Sequence, residues 1–280
     1  MTLNEAAIVL GVHYMTAYRY VRLGLLAATK SGGTWHVDPS DIEEFRRTAS
    51  TGEPADRGGR RRAAWDERLE ARLLAGDARG SWGVIEAALA AGVEPDEIYL
   101  DVMSPALTAI GRRWAQGELD ISIEHRASGI VMRLIGRLGP RFARRGRTRG
   151  AVILGAPAGE RHSIPVAMLA DLVRQHGWEV SDLGADVPES SFVHAALTTP
   201  DVVAVGVSVI TAEHLDTAQR SLVALREAVP DLLLVVGGAA VISAAHAVQL
   251  GADALATDGE SFAALLDALG VVGGTGTGPS

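Results

Sequence analysis

Apolar and polar positions follow three different rhythms along the chain. Between residues 64 and 145, apolar side chains recur at helical spacing in four stretches: Trp65 to Leu74, Ser81 to Ala91, Pro95 to Trp114 and Ile123 to Leu138. Gly or Pro stands at the joints, so this part is expected to form a small antiparallel four-helix bundle. From residue 150 the rhythm changes. Short apolar runs at Ala151–Gly155, Trp178–Asp182, Val202–Val207, Leu232–Gly237 and Ala254–Ala256 are each separated by a helix-length segment. Strands buried on both faces read as continuous apolar runs, so this alternation predicts a doubly wound, five-stranded, mainly parallel Rossmann-like sheet.

Residues 2–45 read as a third, smaller unit. Leu3, Ala6, Ala7, Val9 and Leu10 mark a first helix that stops at Gly11. Ala17, Tyr18, Val21 and Leu26 mark the inner face of a second, leaving Tyr14, Thr16, Arg19, Tyr20 and Arg22 to face outward. A hairpin over Thr29–Val37, turning at Gly32-Gly33, and a short helix capped around Asp38 complete the helix-turn-helix unit. The expected layout is therefore multidomain, α followed by α/β. It runs as a helix-turn-helix unit at 1–47, a flexible linker at 48–63, the bundle at 64–149, the sheet domain at 150–272 and a disordered tail at 273–280.

Composition adds to this picture in three places. Aromatic residues make up only 5% of a chain that is 48% hydrophobic, so its cores are built from Ala, Leu and Val. The absence of cysteine excludes disulfides and thiolate metal sites and suits a cytoplasmic protein. No apolar run reaches the roughly 18 residues of a membrane span, and the first residues lack a signal-peptide pattern. The net charge of −8 is unevenly divided. Residues 1–149 carry 22 basic and 19 acidic side chains, a net +3, whereas residues 150–280 carry 4 and 15, a net −11. That asymmetry is what a DNA-binding front and a small-molecule-binding back would produce.

The candidate chemistry gathers at Gly159-Glu160-Arg161-His162-Ser163-Ile164-Pro165, between the first apolar run and a helical stretch. A strand–loop–helix order puts His162 at the carboxyl edge of an open sheet, where such folds bind ligands. Glu160, two residues earlier, can hold one imidazole nitrogen and leave the other for a metal. Further along, Ser208-Val209-Ile210 ends one apolar run and Gly237-Gly238 another. Together, Glu160-x-His162, Ser208-x-Ile210 and Gly237-Gly238 resemble the cobalamin signature of methionine-synthase-like corrinoid domains. The resemblance implies that His162 is the lower axial ligand of cobalt. It implies too that Ser208, Ile210, Gly237 and Gly238 line a slot for the displaced nucleotide tail. Pro165 stands where that pattern has glycine, and Ile210 where it has leucine. Proline suits the first turn of a helix, where its missing N–H goes unused.

Within the bundle, Trp114 is followed after nine residues by Glu124-His125. This spacing resembles the helical cap of the CarH/LitR family of cobalamin-dependent photoreceptor repressors. The resemblance implies adenosylcobalamin as cofactor, Trp114 as a wall packed on the adenosyl group and Glu124 as its polar reader, with His125 alongside. It also implies a homo-oligomer, tetrameric in the dark and smaller after light. The residue after the tryptophan, a cobalt-capturing histidine in light-responsive members, is Ala115 here and offers no ligand.

Residues 2–45 resemble the winged helix-turn-helix of the MerR and excisionase families. That likeness implies a double-stranded DNA operator read by Arg19 and Arg22, with Tyr14, Thr16 and Tyr20 beside them and Lys30 on the wing. No nucleophile, base and oxyanion constellation is recognisable, so the chain is not expected to be an enzyme. His176, His194, His214 and His246 are expected on helix surfaces. Two other readings share the cobalamin motif: a corrinoid methyl carrier, which gives residues 2–45 no role, and a regulator sensing cobalamin or another tetrapyrrole without light.

Overall fold

The computed structural model describes residues 1–10, 17, 20–21, 26–31, 34–43, 45, 64–144 and 146–272. The chain divides into two units, Met1–Ala63 and Ala64–Ser280. The expected linker and tail, and the turn at Gly32-Gly33, lie outside the described residues.

In the first unit, α1 (Leu3–Leu10) begins at a reciprocal cap, in which the Thr2 amide donates to the Glu5 carboxylate and the Glu5 amide to the Thr2 hydroxyl. Strands β1 (Thr29–Ser31) and β2 (Thr34–His36) pair antiparallel, as the expected hairpin requires. Thr2 bridges to His36, tying the chain start to β2. Leu3, Ala6, Ala17, Leu26, Val37 and Ile42 are buried together. One orientation differs from expectation. Tyr20, expected to face outward, is half-buried and packs on this core, its ring 4.6 Å from that of Phe45. In so small a core a large aromatic ring contributes more by covering apolar surface than by facing water.

The second unit opens with the bundle. Helix α2 (Trp65–Leu74) leads to α3 (Ala78–Ala90), whose N-cap Asp77 accepts from the Gly80 amide. Then α4 (Pro95–Glu97) continues through a π-helical segment, Ile98–Met103, into α5 (Ser104–Ala115). The π segment has a local cause. Pro105 cannot donate to the carbonyl four residues back, and its ring crowds that carbonyl, so the backbone widens by one residue to accommodate it. Helix α6 (Ile121–Leu138) is capped by Asp120 and ends in a 3-10 turn at Gly139–Arg141.

The sheet domain follows, with strands β3 (Ala151–Gly155), β4 (Glu179–Asp182), β5 (Val202–Ser208), β6 (Leu233–Gly237) and β7 (Ala254–Ala256). All pairings are parallel in the order β4-β3-β5-β6-β7. The connecting helices are α7 (Ile164–Gln175), α8 (Glu189–Thr198), α9 (Leu215–Ala228) and α10 (Ala244–Gln249), and α11 (Gly259–Val272) follows β7. Alternate strand residues feed two cores. Val152 and Leu154 join Val166, Val173 and Phe262, while Ile153, Val205 and Val207 join Phe192, Leu222 and Leu225.

Bundle and sheet share one seam. Met168 and Leu172 of α7 are buried in the bundle's own core. Beside them the Tyr99 hydroxyl, in the π segment, donates to Asp171 at 2.7 Å. Because the sheet order reverses direction around β3, the loops after β3 and β5 flank a crevice at the carboxyl edge.

Candidate functional site

The loop after β3 is fixed before any ligand is considered. Gly159 has φ +89°, and a Cβ there would come within 2.9 Å of the His214 ring. Its amide donates to the Asp186 carboxylate at 2.7 Å, and the Asp186 amide donates back to the Glu160 carbonyl at 2.8 Å. Asp186 itself adopts a left-handed φ of 57°. His214, expected on a helix surface, instead caps α9 beneath this loop with its side chain 20% exposed.

Glu160 is fully buried. One oxygen, Oε1, accepts from the His162 amide at 3.2 Å and meets His162 Nδ1. The other, Oε2, accepts from the amides of Ile210 and Thr211 at 2.9 and 2.8 Å. Burial alone would raise the Glu160 pKa, yet the His162 ring and the Thr211, His162 and Ile210 amides together hold it below the ordinary carboxylate value. The His162 ring is half-exposed with Nδ1 occupied, which leaves Nε2 as the nitrogen for an incoming metal.

This has a consequence for acid stability. A group whose pKa is depressed by folding stabilises the fold above its unfolded value, about 4.3 for Glu, and that contribution is lost as pH falls through the folded value. A carbon-detected NMR titration of the Glu160 carboxyl should therefore show a midpoint below the free-peptide value. A midpoint at or above it would mean that burial outweighs the four hydrogen bonds.

The three parts of the sequence motif meet through hydrogen bonds, the first made by the Glu160 side chain and the others by the backbone. Ser208 is the last residue of β5 and stands opposite Gly237; Val209 and Ile210 already belong to the following loop. The Val209 amide donates to the Gly237 carbonyl at 2.8 Å, and the Ala240 amide to the Val209 carbonyl at 3.1 Å. Gly238 has φ +99° and would place a Cβ 2.2 Å from the Val209 carbonyl oxygen. Glu160 thus reaches the β5 loop, and the β5 loop reaches the glycine pair.

A cavity of about 570 Å³ opens over this edge. From the sheet side it is lined by Ser208, Ile210, Gly237 and Gly238, all expected, and by Gly206, Thr257, Asp258 and Gly259, which sequence reasoning missed. A signal for Gly206 was present, since a glycine inside an otherwise β-branched run marks close approach. Pro165 lies in the first turn of α7 and lines the same cavity. From the bundle side the lining is Leu100, Ser104, Leu107 and Thr108. Trp114, Glu124 and His125 do not line it. Trp114 lies on the same face of α5 as Ser104, Leu107 and Gly111, about 10 Å beyond Leu107 along the helix, and is 44% exposed. Glu124 binds its own helix, accepting from the Ser128 hydroxyl at 2.6 Å and contacting His125 Nδ1 at 2.7 Å.

The donor set suits a metal that arrives with its own chelate. Among the described residues no group of three or more metal-ligating side chains converges, so a bare ion would lack a coordination shell. One oriented imidazole beside a glycine-lined slot is what a corrin-bound cobalt needs, because the macrocycle supplies the equatorial nitrogens. Among the described residues no helix is long and apolar enough to cross a membrane.

Of the expected DNA-facing residues, Tyr14, Thr16, Arg19 and Arg22 lie outside the described residues. Lys30 pairs with Trp35 across the hairpin.

Fold and site together define a cobalamin-binding protein whose α/β domain is capped by helices. Comparison with known families agrees: residues 150–266 and 65–138 each match a B12 binding domain, and residues 1–50 a helix-turn-helix domain. The chain thus combines a match to a helix-turn-helix domain with two matches to B12 binding domains. Over 182 residues it is 34% identical to the transcriptional repressor CarH of Myxococcus xanthus, spanning 64% of this chain and 59% of that repressor. It is also 27% identical to the trimethylamine corrinoid protein of Methanosarcina barkeri, over 61% of this chain and 80% of that one. The monomethylamine corrinoid protein of the same organism shares the fold, with a TM-score of 0.65 at 20% identity, over 74% of this chain and 98% of its own.

Proposed function

We propose that this chain is a transcriptional repressor that binds adenosylcobalamin, senses light through it and changes its oligomeric state on DNA. The observation that carries the reading is the buried Glu160 carboxylate, which orients the half-exposed His162 ring in the loop that leads into Ile164 and Pro165, two residues lining the glycine-rich cavity; Glu160 and His162 themselves do not line it. When bound, adenosylcobalamin supplies a cobalt–carbon bond that light can break. His162 would hold cobalt through Nε2, with Glu160 fixing the tautomer. Ser208, Ile210, Gly237 and Gly238 would line the slot for the nucleotide tail. Leu100, Ser104, Leu107 and Thr108 would cover the opposite side, with Trp114 and Glu124 further along the cap and His125 beside them.

The DNA-reading residues would be those of the helix-turn-helix: Tyr14, Thr16, Arg19, Arg22 and Lys30, while Tyr20 supports them from the core side. One such unit buries little surface, so occupancy of a double-stranded operator would depend on several copies held together. A light-driven loss of the tetramer would then empty the operator without altering any base contact.

The test adds adenosylcobalamin in the dark and records the visible spectrum, followed by size-exclusion before and after green light. A red bound species whose oligomeric size changes on illumination supports the whole reading. Binding without a size change leaves a cobalamin sensor in which Ala115 has removed the light step. A chain that stays colourless sinks the proposal. The likeness to corrinoid proteins favours a second reading, a methyl carrier, which would bind cobalamin but no duplex DNA. Glu160→Gln is expected to weaken cobalamin binding by about 10- to 100-fold, the usual effect of losing the partner that orients a metal-bound histidine. Titration at visible wavelengths checks this; unchanged affinity would show that Glu160 serves the loop alone.

A further inference from the structure

We propose that the joint between the helical and α/β domains is a second surface for the DNA backbone, separate from the helix-turn-helix. This rests on the regulator reading above. Residues 133–149 contain seven arginines and no acidic residue, directly before a segment whose net charge is −11. Arg133 and Arg137 lie one turn apart on α6, Arg141 follows in the 3-10 turn, and Arg144, Arg147 and Arg149 lie on the way to β3; all six are exposed.

The segment is held in place. Phe142 is buried and stacks on Tyr99, ring centroids 4.7 Å apart. The Arg149 amide donates to the Gly177 carbonyl at 3.0 Å. Arg137 lies 3.8 Å over the Trp82 ring, and Arg149 lies over Trp178 and pairs with Asp267. Among the described residues, Arg133, Arg141, Arg144 and Arg147 form no ion pair. Acidic groups on the same edge are Glu179, Asp201, Asp231, Asp253 and Asp267; Asp253 is already paired with Arg226, and Asp231 and Asp253 stand at the starts of β6 and β7, on the far side of β5 from the patch.

Position excludes the cofactor as the partner. The patch sits at the amino-terminal edge of the sheet, and the cavity lies past the opposite end of β3, about 16 Å away by strand length. Chemistry favours phosphate, which guanidinium groups grip through paired N–H donors. A membrane surface fits less well, because Phe142, the segment's lone aromatic residue, points into the core rather than outward.

The experiment uses full-length protein with adenosylcobalamin in the dark and a fluorescein-labelled duplex of random sequence. Affinity is measured against salt for the wild type and for R133Q/R141Q/R144Q/R147Q. Each phosphate contact contributes about 0.9 to the slope of log affinity against log salt, so the variant's slope should fall by about 2 to 4. The matching R→K variant should keep most of it. An R19A/R22A variant should still bind random duplex with a salt slope. Unchanged melting by circular dichroism and an unchanged cobalamin spectrum show that the variants are folded. A wild-type slope in the glutamine variant overturns the second surface and leaves the regulator reading intact. Binding of phosphatidylglycerol vesicles without any effect on duplex binding overturns it in favour of a membrane surface. No duplex binding by the wild type overturns the regulator reading and this surface with it.

Discussion

Gly238→Ala should destabilise the second unit by about 3 to 4 kcal/mol and abolish cobalamin binding. Two independent terms add up to this. A residue with a Cβ held at φ +99° costs roughly 1–2 kcal/mol in backbone strain. The new Cβ would also stand 2.2 Å from the Val209 carbonyl oxygen, a clash with backbone that no rotamer relieves. Relief requires the β5 and β6 loops to part, which breaks the Val209–Gly237 and Ala240–Val209 hydrogen bonds, each worth about 1 kcal/mol net. Both loops border the cavity, so the same movement deforms the slot. Gly184→Ala is the matched control: its φ is +74° with nothing within 4 Å of the added Cβ, so it should cost only the backbone term. Urea denaturation of the three proteins separates the contributions. Equal losses in the two variants would mean that the loops absorb the clash freely.

The cobalamin motif was readable because each of its parts ends a strand. An apolar run followed by Glu160-x-His162, Ser208 or Gly237-Gly238 states both where the strand stops and which edge the loop occupies. The roles of the loops toward one another were not readable. That Glu160 bonds the amides of Ile210 and Thr211, fifty residues away, follows from the β3–β5 pairing and from no local pattern. Asp186 shows the same limit from the other side: nothing in Gly184-Ala185-Asp186 distinguishes a turn from a clamp on the histidine loop. In the cap, a helix over Pro95–Trp114 was legible, but which of its residues line the cavity was not: Leu100, Ser104 and Leu107 do, while Trp114 lies beyond. Spacing along one helix gives the face a residue occupies, not how far a partner domain extends beneath it. Charge, by contrast, was legible by halves and misleading in detail, since the basic half includes an arginine cluster on the cap's own joint.

That joint also sets the second large effect. Asp171→Ala should destabilise the chain by about 3–5 kcal/mol, the usual result of breaking a buried charged network from one side. Asp171 is 5% exposed and accepts from the Tyr99 hydroxyl at 2.7 Å and from Arg174 at 2.9 Å. Burial, reinforced by the neighbouring carboxylate, pushes the Tyr99 pKa far up, so the phenol stays protonated and serves as a donor throughout the physiological range. Removing the carboxylate leaves a buried hydroxyl without an acceptor and Arg174 without its ion partner. Tyr99→Phe should cost only about 1 kcal/mol, because Asp171 keeps Arg174 and the ring keeps its stack on Phe142. The double variant should then be less destabilised than the sum, with a coupling of about 1–2 kcal/mol. The pair joins the π segment that lines the cavity to the helix that follows His162. Its loss should therefore also split thermal unfolding, the bundle melting before the sheet. A single transition with additive costs would show that the seam is held by Met168 and Leu172 alone, and that the cap moves on apolar contacts without a polar latch.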